Sequence, residues 1–193
     1  TLNFMTGLFF GSFNPIHNGH IQIAKYLLIN HLCDEIWFVI SPHNPLKKND
    51  TLLTENKRLE ILEAALTGEK NMQACDIEFG MPKPSYTIDT LNKLSANHPE
   101  KTFALIIGAD NLRNFHLWKK HEEITARWPV FVYPRPGIDI SAISHTHITK
   151  IDAPLFPLSS TEIREKIEKG EDITDFVPAH AIKSILEYYR QFL

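Results

Sequence analysis

The chain has 193 residues, 43% hydrophobic and 22% charged, with 20 Lys and Arg against 23 Asp and Glu for a formal net charge of −3. A chain of this length buries roughly 70% of its unfolded surface in one compact domain, and a pI near 6.3 leaves no basic excess for a nucleic-acid partner. No apolar run approaches the ~18 residues of a membrane span, and Cys33 and Cys75 lack CxxC spacing; together these point to a cytoplasmic protein with free thiols and no zinc or disulfide scaffold.

Strand-like runs are predicted over residues 8–10, 36–40, 72–77, 103–107 and 130–133. Between them, apolar residues at three and four spacing predict helices over 19–30, 55–66 and 88–96, and a broken pair over 111–125. Alternation of this kind predicts an α/β fold, a Rossmann-like doubly wound parallel sheet with helices on both faces. Beyond residue 137 the composition shifts to short polar and β-branched stretches, then to a helix from 161 and a last one over 178–192. The expectation is a single domain over residues 1–193, with 138–193 as a largely helical appendage packed on it; Ile182, Ile185, Leu186 and Tyr189 supply the packing stripe.

The first run ends in Gly11-Ser12-Phe13-Asn14-Pro15-Ile16-His17-Asn18-Gly19-His20, where Gly11 and Asn14-Pro15 break the strand and Ile21, Ala24, Leu27 and Leu28 begin a helix. His17 and His20 therefore fall on one face of a first helical turn, where unpaired N–H groups and the dipole favour an anion. Gly19 is read as keeping that face open. Two imidazoles there can donate to phosphoryl oxygens that gain charge in a transition state. A second turn, Leu158-Ser159-Ser160-Thr161-Glu162-Ile163-Arg164, has capping-box spacing between Ser159 and Glu162 and offers another helix N-terminus suited to phosphate. The turns after Gly11, Ser41 and Gly108 each follow a predicted strand, so they are expected to converge on one crevice beyond the carboxyl ends of the sheet.

These two turns resemble the nucleotidyltransferases whose first turn carries two histidines ending in Gly-His and whose late turn reads Ser-Ser-Thr followed by Arg. The stretches Pro84-Ser85-Tyr86-Thr87-Ile88-Asp89-Thr90-Leu91 and Ile107-Gly108-Ala109-Asp110-Asn111-Leu112, with Trp118 shortly after, narrow the resemblance to the nicotinate-nucleotide adenylyltransferases, over residues 7–190. The resemblance implies direct in-line attack of a mononucleotide 5'-phosphate on the α-phosphorus of ATP, with pyrophosphate leaving and no covalent intermediate. It implies catalytic roles for His17, His20 and Arg164, and ATP contacts from Gly11, Ser12, Phe13, Gly19, Gly108, Asp110, Ser160 and Thr161. Tyr86, Thr87 and Trp118 would hold the nicotinate ring and carboxylate, and Arg135 the mononucleotide phosphate.

Lys47 and Lys48 stand where family members commonly have Pro-Pro-His-Lys; this chain lacks that histidine, and one of the two lysines is taken as a phosphate clamp. Asn14 replaces the Asp of many relatives and can orient groups only by hydrogen bonds. Mg²⁺ is expected to ride mainly on the ATP phosphates and water, with no metal ligand assigned in the chain. ATP and nicotinate mononucleotide are the expected partners, without nucleic acid or membrane; monomer and homo-oligomer both remain open. The alternatives are an adenylyl- or cytidylyltransferase of the same superfamily acting on another phosphate acceptor, and a nucleotide sensor without turnover.

Overall fold

The computed structural model describes residues 4–42, 52–141 and 146–192. Within them, parallel strands β1 (Met5–Gly11), β2 (Glu35–Ile40), β3 (Met72–Cys75), β4 (Thr102–Gly108), β5 (Val130–Tyr133) and β6 (Ile148–Lys150) form one sheet in the order β3-β2-β1-β4-β5-β6. The order reverses between β1 and β4, and in an open parallel sheet that reversal opens a crevice at the carboxyl ends of the strands.

Successive side chains of a strand point to opposite faces, and both faces here are apolar. Phe9, Ile36, Phe38, Ile40, Ala104, Ile106, Phe131 and Tyr133 join one buried cluster, while Leu8, Trp37, Val39, Phe103, Leu105, Ile107, Val130 and Val132 join the other. The first face is covered by helices α1 (Asn18–Ile29) and α2 (Glu55–Ala65) and the second by α3 (Thr87–Asn97), α4 (Ala109–Arg113) and α5 (His121–Arg127). The helical signal over 111–125 is broken as expected: a 3-10 turn at Phe115–Leu117 separates α4 from α5.

Three local readings are corrected. The strand predicted to run through residue 77 stops at Cys75, and Ile77–Gly80 closes into a 3-10 turn that turns Glu78 inward. The helix predicted from Pro178 begins instead with a 3-10 turn at Ala179–Ala181 before α7 (Ile182–Phe192). The segment beyond residue 137 also contains β6, which pairs with β5 through Ile148, Thr149 and Lys150; three residues are too few to show a period. Helices α6 (Ser160–Glu168) and α7 insert Ile163, Ile167, Ile185 and Tyr189 into the cluster that holds Phe9 and Phe38. Each such fully buried side chain contributes on the order of 1.5–3 kcal/mol, enough to hold both helices against the sheet. Both cysteines are free thiols; burial, with Asp34 adding, raises Cys33 to about 12.

Candidate active site

β1 delivers the chain into the turn before α1. Phe13 adopts a left-handed φ of 44°, which folds its ring back under the turn, against Phe9, Phe38 and His20 at centroid distances of 5.8, 5.5 and 5.2 Å. A side chain on Gly11 would meet that ring at 3.0 Å, so Gly11 is small because Phe13 lies over it. The Phe13 ring is thereby committed to the core, leaving its backbone as what it can offer a ligand.

His17 and His20 stack at 3.7 Å between ring centroids, and the Phe156 ring stacks on the far side of His17 at 5.0 Å and 8°. His17 N–H donates to His20 Nδ1 at 3.2 Å. In a neutral imidazole this places the proton on Nε2, so that nitrogen is the donor of His20. His17 is 3% exposed and its Nδ1 makes no hydrogen bond among the described residues. Burial, with the nearby positive charge of Arg135 adding, depresses its pKa to about 3, so it is neutral at pH 7. A neutral imidazole carries one ring proton, so His17 can donate to an anion from Nδ1 only in the tautomer that places the proton there.

Gly19 has a different reason from the one read in the sequence. A Cβ there would lie 2.6 Å from Cβ and Cγ of Phe156, so the missing side chain makes room for the ring that covers His17.

The late turn docks directly on the first. Ser160 Oγ donates to the Pro15 carbonyl at 2.9 Å, and Arg164 Nη1 donates to the Asn14 carbonyl at 2.6 Å while Nη2 reaches Thr161 Oγ1 at 3.2 Å. The capping box forms: Glu162 N–H donates to Ser159 Oγ at 3.3 Å and Ser159 N–H to Glu162 Oε2 at 2.7 Å. Since the Ser160 hydroxyl is spent on Pro15, what remains for an anion at this helix start is backbone N–H, the Thr161 hydroxyl proton and the outer edge of the Arg164 fork.

The first turn is buttressed from three more elements. Asn14 Oδ1 accepts from Leu53 N–H at 3.2 Å and from the Tyr189 hydroxyl at 2.5 Å, so α7 reaches across the sheet end to hold the turn. Arg58 in α2 is 0% exposed and donates to four carbonyls: Nε to Leu53 at 2.9 Å, Nη1 to Ser12 at 2.7 Å and Ser41 at 2.9 Å, and Nη2 to Pro42 at 3.1 Å. Sequence reasoning passed over Arg58, yet it left a signal. It stands at the head of the stripe Arg58, Ile61, Leu62, Ala65, all buried in α2, and a cation on an apolar stripe must be answering buried acceptors.

Across the switch point, Asp110 Oδ1 and Arg135 Nε lie 3.4 Å apart, an ion pair whose alignment gives neither atom a hydrogen bond. Arg135 Nη2 donates to the Tyr133 hydroxyl at 3.1 Å. Gly108 caps the start of α4, where a Cβ would collide with Asp110 Oδ1. Tyr86 and Thr87 begin α3; the Tyr86 ring is 40% exposed, with Lys119 Nζ 4.6 Å from its centre and bonded to Asp89 at 2.8 Å. Trp118, next to that lysine, packs half-buried on Phe115 at 5.2 Å. Glu78, also passed over in the sequence, is 3% exposed and sits behind the same turn, with burial raising its pKa against hydrogen bonds from Thr90, Ser85 and Ser41. Lys47 and Lys48 lie outside the described residues.

The geometry thus brings His17, His20, Ser160, Thr161, Arg164 and Arg135 around the turn that follows β1, with Asp110 next to Arg135. Among the described residues no three His, Cys, Asp or Glu side chains converge to hold a metal, and no helix is long and apolar enough to cross a membrane. Such an arrangement can bind a polyphosphate and stabilise charge moving along it, without a protein nucleophile.

Comparison with known proteins agrees. A family model described as cytidylyltransferase-like matches residues 8–166. A Cytophaga hutchinsonii protein named "Probable nicotinate-nucleotide adenylyltransferase" is 43% identical over 96% of this chain and 98% of its own, and one of the same name from Bacteroides fragilis is 42% identical over 94% and 91%. In fold the chain is similar to the Plasmodium falciparum nicotinic acid mononucleotide adenylyltransferase complexed with NaAD, with a TM-score of 0.80 at 21% identity over 97% of this chain and 98% of that one. With the paired histidines, the docked Ser-Ser-Thr turn and relatives above 40% identity across nearly its whole length, the chain belongs to the nicotinate-nucleotide adenylyltransferase family of cytidylyltransferase-like nucleotidyltransferases.

Proposed function

We propose that this protein, acting as one domain in the cytoplasm, transfers the adenylyl group of ATP to nicotinate mononucleotide, giving nicotinate adenine dinucleotide and pyrophosphate for NAD biosynthesis. The observation that carries the reading is the docking of Ser160 and Arg164 on the carbonyls of Pro15 and Asn14. It sets the turn that carries Arg164 against the turn that carries the imidazole pair, which supports a single triphosphate spanning both.

In this reading the acceptor phosphate, already ionised at neutral pH, attacks the α-phosphorus in line, and the chain aligns the reactants and stabilises charge. His20 donates from Nε2 to an α-phosphoryl oxygen, and neutral His17 lies beside it toward the adjoining phosphates. Arg164 and the backbone N–H groups of Ser160 and Thr161 take up charge on the departing pyrophosphate, with Gly11, Ser12, Phe13 and Gly19 shaping the phosphate turn. Asp110, beside Gly108, accepts from a ribose hydroxyl, which frees Arg135 for the acceptor phosphate. Tyr86, Thr87 and Trp118 receive the pyridine carboxylate and ring, and Lys47 or Lys48 adds a cation. Mg²⁺ would be held by the triphosphate and water, since the crevice carboxylate Asp110 is paired with Arg135; when bound, it neutralises phosphate charge.

The test is pyrophosphate release on incubation with ATP, Mg²⁺ and either nicotinate or nicotinamide mononucleotide. Release preferring the acid is expected. Release with neither substrate refutes the assignment in favour of another acceptor or a sensor.

A further inference from the structure

One buried carboxylate takes no part in the reaction as derived. Glu78 lies in the 3-10 turn after β3, 3% exposed. Its Oε1 accepts from Thr90 Oγ1 at 2.7 Å and its Oε2 from Ser85 Oγ at 2.8 Å, and the Ser41 side chain lies close enough to favour its charged form. Those hydroxyls come from three places: Ser85 precedes the Tyr86-Thr87 turn, Thr90 lies in the first turns of α3, and Ser41 follows β2. Ser41 belongs to the phosphate side of the crevice, because its N–H donates to the Gly11 carbonyl at 2.9 Å and its carbonyl accepts from Arg58, which also holds Ser12. Glu78 is therefore the point at which the turn assigned to the pyridine end is tied to the turn assigned to the triphosphate.

A carboxylate suits that post because, when ionised, it only accepts and can receive several hydroxyls at once; an amide of the same shape must present two N–H donors on one side. Burial makes each of these bonds costly to leave unmade.

We propose that Glu78 is a positioning residue for the acceptor mononucleotide: through Ser85, Thr90 and Ser41 it holds the Tyr86-Thr87 turn in register with the phosphate turn, so that pyridine ring and attacking phosphate reach their places together. The inference rests on the reading of Tyr86 and Thr87 as the pyridine-binding turn. It separates Glu78 from a residue that only stabilises the fold, whose loss would weaken binding of both substrates or of neither.

The experiment is steady-state kinetics on wild type, Glu78→Gln and Ser85→Ala, varying ATP and nicotinate mononucleotide separately, alongside thermal melts. Glu78→Gln is expected to raise KM for the mononucleotide about tenfold or more, the scale of losing a charged hydrogen bond, and to leave KM for ATP within about twofold. Ser85→Ala, which removes one donor from a partly exposed position, should move the same parameter less and covers the case in which Glu78→Gln does not fold. Equal changes in both KM values, or no change in either, overturn the proposal while wild-type turnover keeps the functional reading intact. If the wild type turns over neither mononucleotide, the functional reading fails and takes this inference with it.

Discussion

The orientation of His20 makes a sharp prediction because its two ring nitrogens have separate duties. Nδ1 accepts from the His17 N–H at 3.2 Å, so Nε2 carries the proton that would meet the α-phosphoryl oxygen. His20→Asn keeps an acceptor near Nδ1 and discards the donor; His20→Gln places an N–H near Nε2 and discards the acceptor. Deleting one transition-state donor costs about 10²–10³ in kcat, or ~2.7–4 kcal/mol, whereas one neutral backbone hydrogen bond contributes about 0.5–1.5 kcal/mol to stability. His20→Asn should therefore lose at least about a hundredfold in kcat and melt near the wild-type temperature. His20→Gln should keep more of its kcat and lose roughly 1 kcal/mol of stability. The assay is pyrophosphate release at saturating ATP, paired with urea denaturation of each variant. A kcat for His20→Asn within about fivefold of wild type would show that the ring is structural, and the charge-stabilising role would be abandoned.

Other variants test the frame around that ring. Tyr189→Phe removes the hydroxyl that meets Asn14 Oδ1 at 2.5 Å and should cost about 1–2 kcal/mol in urea unfolding; an unchanged midpoint would mean that this hydroxyl adds nothing to the hold on Asn14. Gly19→Ala should improve helix propensity by about 0.5–1 kcal/mol yet destabilise overall by about 1 kcal/mol or more, because the new methyl overlaps Phe156 Cβ, an atom that cannot swing away; a raised melting temperature refutes this. For His17 the folded pKa, about 3, lies below its ordinary value, so the unfolded chain binds the extra proton as pH falls through 6.5. Stability should then drop toward acid with a component of up to ~1.4 kcal/mol per pH unit between about pH 6 and 4, and His17→Asn should lack that component; equal slopes in the two proteins contradict it.

What could be read from the chain was whatever is written locally. The break at Gly11 and Asn14-Pro15, the restart of periodicity at Ile21 and the Ser159–Glu162 cap all lie within a few residues of one another, and each appears in the structure close to its expected bounds. The docking of the late turn on the first spans about 150 positions and could be anticipated only by resemblance. Strand β6 exists because β5 offers it a partner, and its three residues carry no pattern of their own. Arg58 was legible as a misfit on its helix, but Glu78 sits in a stretch with no period to violate, so nothing nearby announces that three hydroxyls await it. Gly19 shows the converse difficulty, since the residue was visible and its cause, Phe156, lay far along the chain.

The bond between Asn14 and Tyr189 also sets an order of events. Residue 14 leaves the ribosome well before residue 189, so until α7 emerges the nascent phosphate turn lacks one of the hydroxyls that hold it, and β1 must wait for β4 to pair on one side. Contacts of such sequence separation close late. A polypeptide interrupted before α7 therefore carries both imidazoles on a turn that lacks its Tyr189 anchor, and the full hold on that turn arrives with α7.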